Sequence, residues 1–236
     1  MEEEIKPNEG KQGVICVDGG AYIRLPIRTH LVTREDDIVA VAEQYGAPVL
    51  SEEDDVLFIS EKCVACTQGR YYFIKDVKPR KLAYFLSKYV TKTKHGIGLG
   101  MPETMECALV ECGVPRILFA AFISVIGKKI FRKKGWFYKV AGYKAASIDG
   151  PTHNTIPPYN ECVVLGPLYP DKVAKQIAEK IGYRVIIVDI NDLDGQILGA
   201  SDPSMDRRLY ARILKDNPLG QDRQQTPMGV IRTVKE

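Results

Sequence analysis

Hydrophobic and polar positions change period several times along the chain. QGVICV and AYIRLPIR read as strands, the second alternating as a half-buried strand does. Thr33, Arg34, Glu35 and Asp36 resemble a capping signal for a helix through Tyr45, with Ile38, Val39, Val41 and Ala42 as its apolar face. Gly46, Ala47 and Pro48 end it. Residues 55–60 and 70–74 predict short strands. Pro79 stands where a further helix starts, since Leu82, Phe85, Leu86 and Tyr89 recur at helical spacing. Pro102 opens another helix and Gly113 stops it. Residues 117–126 are apolar on every side, so periodicity leaves helix and strand both open there.

The last hundred residues punctuate more sharply. Residues 136–140 and 162–165 predict strands. Pro170 begins a helix with Val173, Ala174, Ile177 and Ala178 on one face and Gly182 as its stop. RVIIVD follows as a fully buried strand, Pro203 opens the helix PSMDRRLYARILKD, and MGVIRTV closes as a strand. Strands and helices mix without a regular beat, which favours α+β or irregular α/β over a doubly wound sheet.

Composition narrows the class. Of 236 residues, 45% are hydrophobic and 27% charged, which excludes wholesale disorder. Lys and Arg number 33 against 30 Asp and Glu, too balanced to announce a nucleic-acid or membrane partner. The longest apolar run is half of the roughly 20 residues a spanning helix needs. The start, MEEEIKPNEGKQG, is acidic and polar, unlike a signal or transit peptide, so a soluble cytoplasmic protein is expected. Residues 1–10 predict a flexible tail and residues 11–236 a single domain. The six cysteines, at 16, 63, 66, 107, 112 and 162, are expected to be reduced. Cys63 and Cys66 form a C-x-x-C after a strand, which admits redox or zinc chemistry. With no H-x3-5-H partner, small core residues are the simpler reading.

Candidate chemistry gathers at acidic positions. Asp189 ends the buried strand and is followed by Asn191, Asp192 and Asp194. Carboxylates at a strand end are well placed for Mg2+ or Mn2+, although an acidic turn capping the next element explains them equally well. The spacing is not that of an EF-hand, because Leu193 and Ala200 fall where ligands belong. Asp149 lies in AASIDGP, a tight turn. Gly96, Gly98 and Gly100 precede the helix at Pro102 but match neither a dinucleotide nor a P-loop pattern, so a hinge is the simpler reading. His30, His95 and His153 are scattered. Lys128, Lys129, Arg132, Lys133 and Lys134, flanked by Phe131 and Trp136, could meet phosphates, or form a solvated face.

Five segments in order resemble the coenzyme F420-0 gamma-glutamyl ligase family: LPIRTHLVTREDDI, DDVLFISEKCVACTQGR, FYKVAGYKAASIDGP, VVLGPLYPDKVAKQIAEKIGYRVIIVDIND and LGQDRQQTPMGVIR. The resemblance implies an α+β fold of mixed, largely antiparallel sheets with packed helices, and a homodimer. It implies a GTP-dependent ligase using Mg2+ or Mn2+, with K+ as a further cation, that joins L-glutamate in gamma linkage to coenzyme F420-0 or a related small acid acceptor. By the family's motifs the metal ligands fall on Asp149, Asp189 and Gln221, with Asn191 in reach of the role. The nucleotide contacts fall on Leu25, Pro26, Ser60, Glu61, Lys62, Thr152, Leu219, Gly220, Gln221, Asp222, Gln225 and Thr226. Membrane partners are not implied. Carboxylates in a phosphate-binding groove argue against nucleic acid, because they repel unless a metal intervenes.

Three departures from the family pattern stand out. Gly150, Pro151 and Thr152 follow Asp149 where the family has Ser-Asn. Ile190 replaces a metal-binding Thr, and an apolar side chain cannot ligate Mg2+. Cys66 takes the place of a Lys, with Lys62 one turn away if the segment is helical. A diverged relative with another nucleotide and substrate, or a non-catalytic nucleotide- and metal-binding module, is therefore the alternative. No general base is identifiable from the residues.

Overall fold

The computed structural model describes residues 5–90, 98–129, 135–191, 195–220 and 223–235. Its strands are β1 (Val14–Val17), β2 (Gly20–Ile27), β3 (Val56–Ser60), β4 (Tyr71–Phe73), β5 (Cys162–Val164), β6 (Arg184–Ile190), β7 (Gly195–Ala200) and β8 (Met228–Thr233). Its α-helices are α1 (Ile38–Val41), α2 (Glu61–Thr67), α3 (Lys81–Ser87), α4 (Pro102–Cys112), α5 (Val114–Lys129), α6 (Trp136–Ala141), α7 (Tyr143–Ala146), α8 (Pro170–Ile181) and α9 (Arg207–Ile213). The class is α+β with a mixed, mostly antiparallel sheet, as the sequence predicts. The chain divides into two compact units, Met1–Gly69 with Pro167–Glu236, and Arg70–Gly166.

The first unit is built on a six-stranded sheet in the order β1-β2-β8-β3-β6-β7. Only β3 and β6 run parallel, with Ser60 opposite Val188. Both strands are buried on both faces, which is why VLFIS and RVIIVD read as unbroken apolar runs. Leu57 and Ile59 meet Val64, Val173, Ile177 and Ile187 on one face. Val56 and Phe58 meet Ile186, Val188, Ile213 and Leu219 on the other. Helix α8 begins at Pro170 and ends at Gly182, whose φ of +78 supplies the left-handed stop. Strand β7 was not signalled by the sequence, since the glycines of GQILGA dilute its apolar alternation.

Two helix starts in this unit differ from the sequence reading. Asp37, just past the expected capping stretch Thr33–Asp36, caps α1 by accepting from the Val39 amide, while Asp36 bonds the Thr33 amide and hydroxyl and His30. The helical segment then widens to a π-turn over Ala42–Gly46. Pro203 lies in a turn whose Asp202 accepts from Ser204. Asp206, accepting from Arg208 and Leu209, is the cap that starts α9 four residues later than expected.

The second unit packs α3–α7 around Leu86, Leu99, Met105, Leu109, Ile117, Ala120, Ile148 and Val163, with the two-stranded β4-β5 sheet beside them. Residues 117–126 resolve as helix α5. The expected strand at 136–140 is instead helix α6, and its cause lies in the glycines on either side. Gly135 and Gly142 adopt φ of +88 and +87, bracketing one short helix. The Trp136 ring fills the space beside Gly127, where an added Cβ would come within 2.9 Å of it. Packing thus overrides the strand preference of an aromatic run. In α3 Ala83, Leu86 and Ser87 are buried while Phe85 is exposed, as is Tyr89 in the turn that follows. Among the described residues no single helix is long and apolar enough to cross a membrane.

Candidate functional site

The carboxyl ends of the parallel pair β3 and β6 open on the same edge of the first unit's sheet, and several candidate residues converge there. Ser60 ends β3 and caps α2, accepting from the Lys62 amide at 3.3 Å. Its own amide donates to Pro227 at 2.8 Å, which ties it to the start of β8. Glu61 is buried at 2% exposure and paired with Lys62 Nζ at 2.5 Å. A carboxylate that deep needs such a cation beside it. Leu25 and Pro26 lie on β2 opposite Val230 and Gly229. Strand β1 pairs with Gly20–Ile23, so among the described residues β2 has β8 as its one partner strand from Leu25 onward, the setting in which a strand tolerates proline. Gly229 has no room for a side chain, since a Cβ would lie 2.7 Å from the Leu25 carbonyl. Asp189 and Asn191 follow Val188 at the same end, both half-buried, with Asp189 opposite Gln196.

The connection from α9 to β8 borders this edge. Leu219 is buried, and Gly220 is left-handed at φ +80. Asn217 and Gln225 also take positive φ, of 51 and 59. Non-glycine residues hold that conformation only where bonds over-determine it. Asn217 Nδ2 donates to the Gly220 carbonyl at 2.9 Å and the Gly220 amide returns a bond to Asn217. Gln225 Nε2 donates to the Thr29 carbonyl at 2.8 Å while its own carbonyl accepts from the Thr29 amide. Thr226 Oγ1 donates to Leu219 at 2.7 Å. Gln221 and Asp222 lie outside the described residues, as do Asp192 and Asp194 of the acidic turn, His95 and Gly96, and the side chains from 128 to 134.

Asp149 and Thr152 belong to the second unit. Asp149 is pinned by a two-way backbone bridge to Val164, each bond 2.9 Å, which leaves its exposed carboxylate on a fixed stem. Thr152 is exposed and its hydroxyl bonds that of Thr155 at 2.6 Å. Tyr138, hidden from sequence reading by the misplaced strand, lies in the field of Asp149. Burial pushes its phenol above the usual range and the Asp149 carboxylate adds to this, against a hydrogen bond from the Leu99 backbone. Gly98 approaches Tyr138 within 3.1 Å of a would-be Cβ, so part of the glycine-rich segment belongs to the same neighbourhood.

The donor types suit a hard divalent cation: a carboxylate on β6 at Asp189 with an amide oxygen at Asn191, and a carboxylate on an isolated bridge at Asp149. Ile190, half-buried beside Asp189, contributes no donor. Among the described residues no group of three His, Cys, Asp or Glu is placed to hold a metal. Cys63, Cys66, Cys107 and Cys162 take the core reading, Cys112 is half-buried, and Cys16 departs from it by being exposed. Cys63 and Cys66 are buried on α2, and burial pushes the Cys63 thiol far up, away from the reactive thiolate a redox pair needs.

A model of the family described as F420-0:gamma-glutamyl ligase matches residues 26–205, well over half the chain. No curated protein matches it.

Proposed function

The chain belongs to the F420-0:gamma-glutamyl ligase family, and from that premise we propose a GTP- and divalent-metal-dependent ligase that joins L-glutamate in gamma linkage to coenzyme F420-0 or a related acid acceptor. The observation that carries the reading is the convergence of Pro26, Ser60, Lys62, Asp189 and Gln225 on one sheet edge. In open sheets the carboxyl ends of parallel strands are where ligands bind.

A carboxylate must be activated before an amine can displace its oxygen. Phosphoryl transfer from GTP to the acceptor carboxylate gives an acyl phosphate and GDP. The glutamate amine then attacks the acyl carbon, phosphate leaves with the C–O electron pair, and the amine's proton passes to solvent. The amide is gamma-linked where the activated carboxylate is the side-chain carboxylate of a glutamate already on the acceptor. Positioning and charge neutralisation carry most of such chemistry. Asp149 and Asp189 each offer a carboxylate to Mg2+ or Mn2+, which when bound withdraws negative charge from the phosphates. Lys62, one-third exposed and oriented by Glu61, presents a cation to an anionic group. Ser60, Gln225 and Thr226 fix backbone around the nucleotide, together with Leu219 and Gly220. Ile190, in the place of a ligating Thr, favours a relative altered in nucleotide or acceptor as the second reading.

The proposed assembly is a homodimer. Leu118, Phe119, Phe122 and Val125 lie exposed along one face of α5, an apolar stripe that a second copy would cover.

Calorimetric titration of metal-stripped protein with GTP, ATP and GDP, with and without Mn2+, tests the assignment. We expect GTP-selective binding that requires metal. Asp149→Ala and Asp189→Ala should each weaken it by at least roughly 10-fold, the cost of losing even an outer partner of a metal site. Unchanged affinity in both variants contradicts the ligand assignment, and metal-independent binding of ATP points to the altered relative.

A further inference from the structure

We propose that Asn8, in the segment before β1, is a positioning residue that clamps the two ends of the α9–β8 connection, and through it the nucleotide contacts. The inference rests on the proposed role of Leu219, Gly220, Gln225 and Thr226 in holding GTP. Asn8, Glu9, Gly10 and Lys11 form a tight turn, closed by the Lys11 amide on the Asn8 carbonyl at 3.0 Å, with Gly10 at φ +74 in its third position. Pro7 packs on Gly13, where a Cβ would lie 2.7 Å from the ring. Together these direct the Asn8 side chain back across the sheet end.

Its amide nitrogen carries two protons and both are used. Asn8 Nδ2 donates to the Pro218 carbonyl at 2.9 Å and to Thr226 Oγ1 at 2.9 Å. The Thr226 hydroxyl passes its own proton to the Leu219 carbonyl at 2.7 Å. One side chain therefore joins both limbs of the connection, and the relay runs in one direction. Lys11 Nζ reinforces the base of the same connection through the Asp216 carbonyl at 2.9 Å. Fully buried Arg24 binds the Asp216 carboxylate and the carbonyls of Ile213 and Gln12. The far side is held by the Gln225–Thr29 pair. Asn8 is itself only half-buried and belongs to no strand or helix, so its loss should loosen the connection without unfolding the sheet.

Asn8→Ala, Asn8→Asp, Thr226→Val and the Asn8→Ala/Thr226→Val double variant test this in the full chain. Hydrogen exchange should quicken in the peptide spanning residues 216–228 of each variant and stay unchanged in α8 and β6, with thermal midpoints near wild type. Asn8→Asp should match the alanine variant, because a carboxylate faces the Pro218 carbonyl with no donor. Metal-dependent GTP affinity should fall about 5–30-fold, the factor corresponding to one or two hydrogen bonds' worth of order. The double variant should cost less than the two single losses combined. Unchanged exchange in Asn8→Ala, or faster exchange with unchanged GTP affinity, overturns the proposal. Wild-type protein that binds no GTP overturns instead the functional reading on which it rests, and the exchange comparison still decides whether the clamp exists.

Discussion

Asp55 has no exposed surface and is nonetheless held as a carboxylate. Burial pushes its pKa up, but the Arg232 guanidinium and the amides of Ser51 and Glu52 outweigh this and leave it below the usual range. A depressed native pKa gives stability that is complete above the unfolded value of about 3.9 and is lost as pH falls through the native value. Asp55→Asn should therefore cost about 3 kcal/mol at pH 7 by urea unfolding, because it leaves Arg232 unpaired. It should also flatten the decline below about pH 4; a parallel decline in wild type and variant would contradict this. The cysteines give a second residue-scale expectation. Burial pushes Cys107 up to about 11 and Cys63 further, whereas Cys16 is exposed. Iodoacetamide on native protein at pH 8 should label Cys16 and leave Cys63 unmodified until the protein is denatured. Rapid native labelling of Cys63, read by peptide mass, would restore the redox reading.

At the scale of elements, close approach decides what packs where. Gly199 on β7 lies so near the start of α8 that a Cβ would sit 2.4 Å from the Pro170 carbonyl carbon. Gly199→Ala must displace α8 or the strand, so a loss of roughly 1–3 kcal/mol is expected in chemical unfolding; a neutral variant would mean the contact yields freely. The elements legible from sequence are those whose local signals and burial agree. VLFIS and RVIIVD are apolar because both faces are covered, and α4 and α8 are bracketed by Pro and Gly. Residues 136–141 misled because their aromatic run prefers a strand, while flanking glycines and the fit of Trp136 beside Gly127 require a helix. At the candidate site, Asp189 was legible as an acidic residue ending a buried run, and Ser60 only through the family resemblance. Asn8 and Thr29 were not, because their partners lie far off in sequence and no local pattern encodes such bonds.

Across the whole molecule the near-neutral charge conceals a division. Arg70–Gly166 carries 16 Lys and Arg against 6 Asp and Glu, while the remainder carries 17 against 24. A basic unit attracts anionic ligands, and screening weakens that attraction within a Debye length of about 8 Å at physiological salt. The apolar stripe of α5 belongs to this unit. If it is the dimer contact, Phe122→Glu should convert a dimer to a monomer in sedimentation velocity while leaving circular dichroism unchanged; a dimer that survives would place the contact elsewhere. The central proposal is a nucleotide-driven amide ligation. The direct measurement is to incubate the protein with coenzyme F420-0, GTP, Mn2+ and isotope-labelled L-glutamate, and to follow the acceptor by mass spectrometry alongside GDP release. The account predicts labelled glutamyl product formed with GDP in equal amounts and abolished in Asp149→Ala. GTP that binds but is never consumed, with no labelled product, would contradict it.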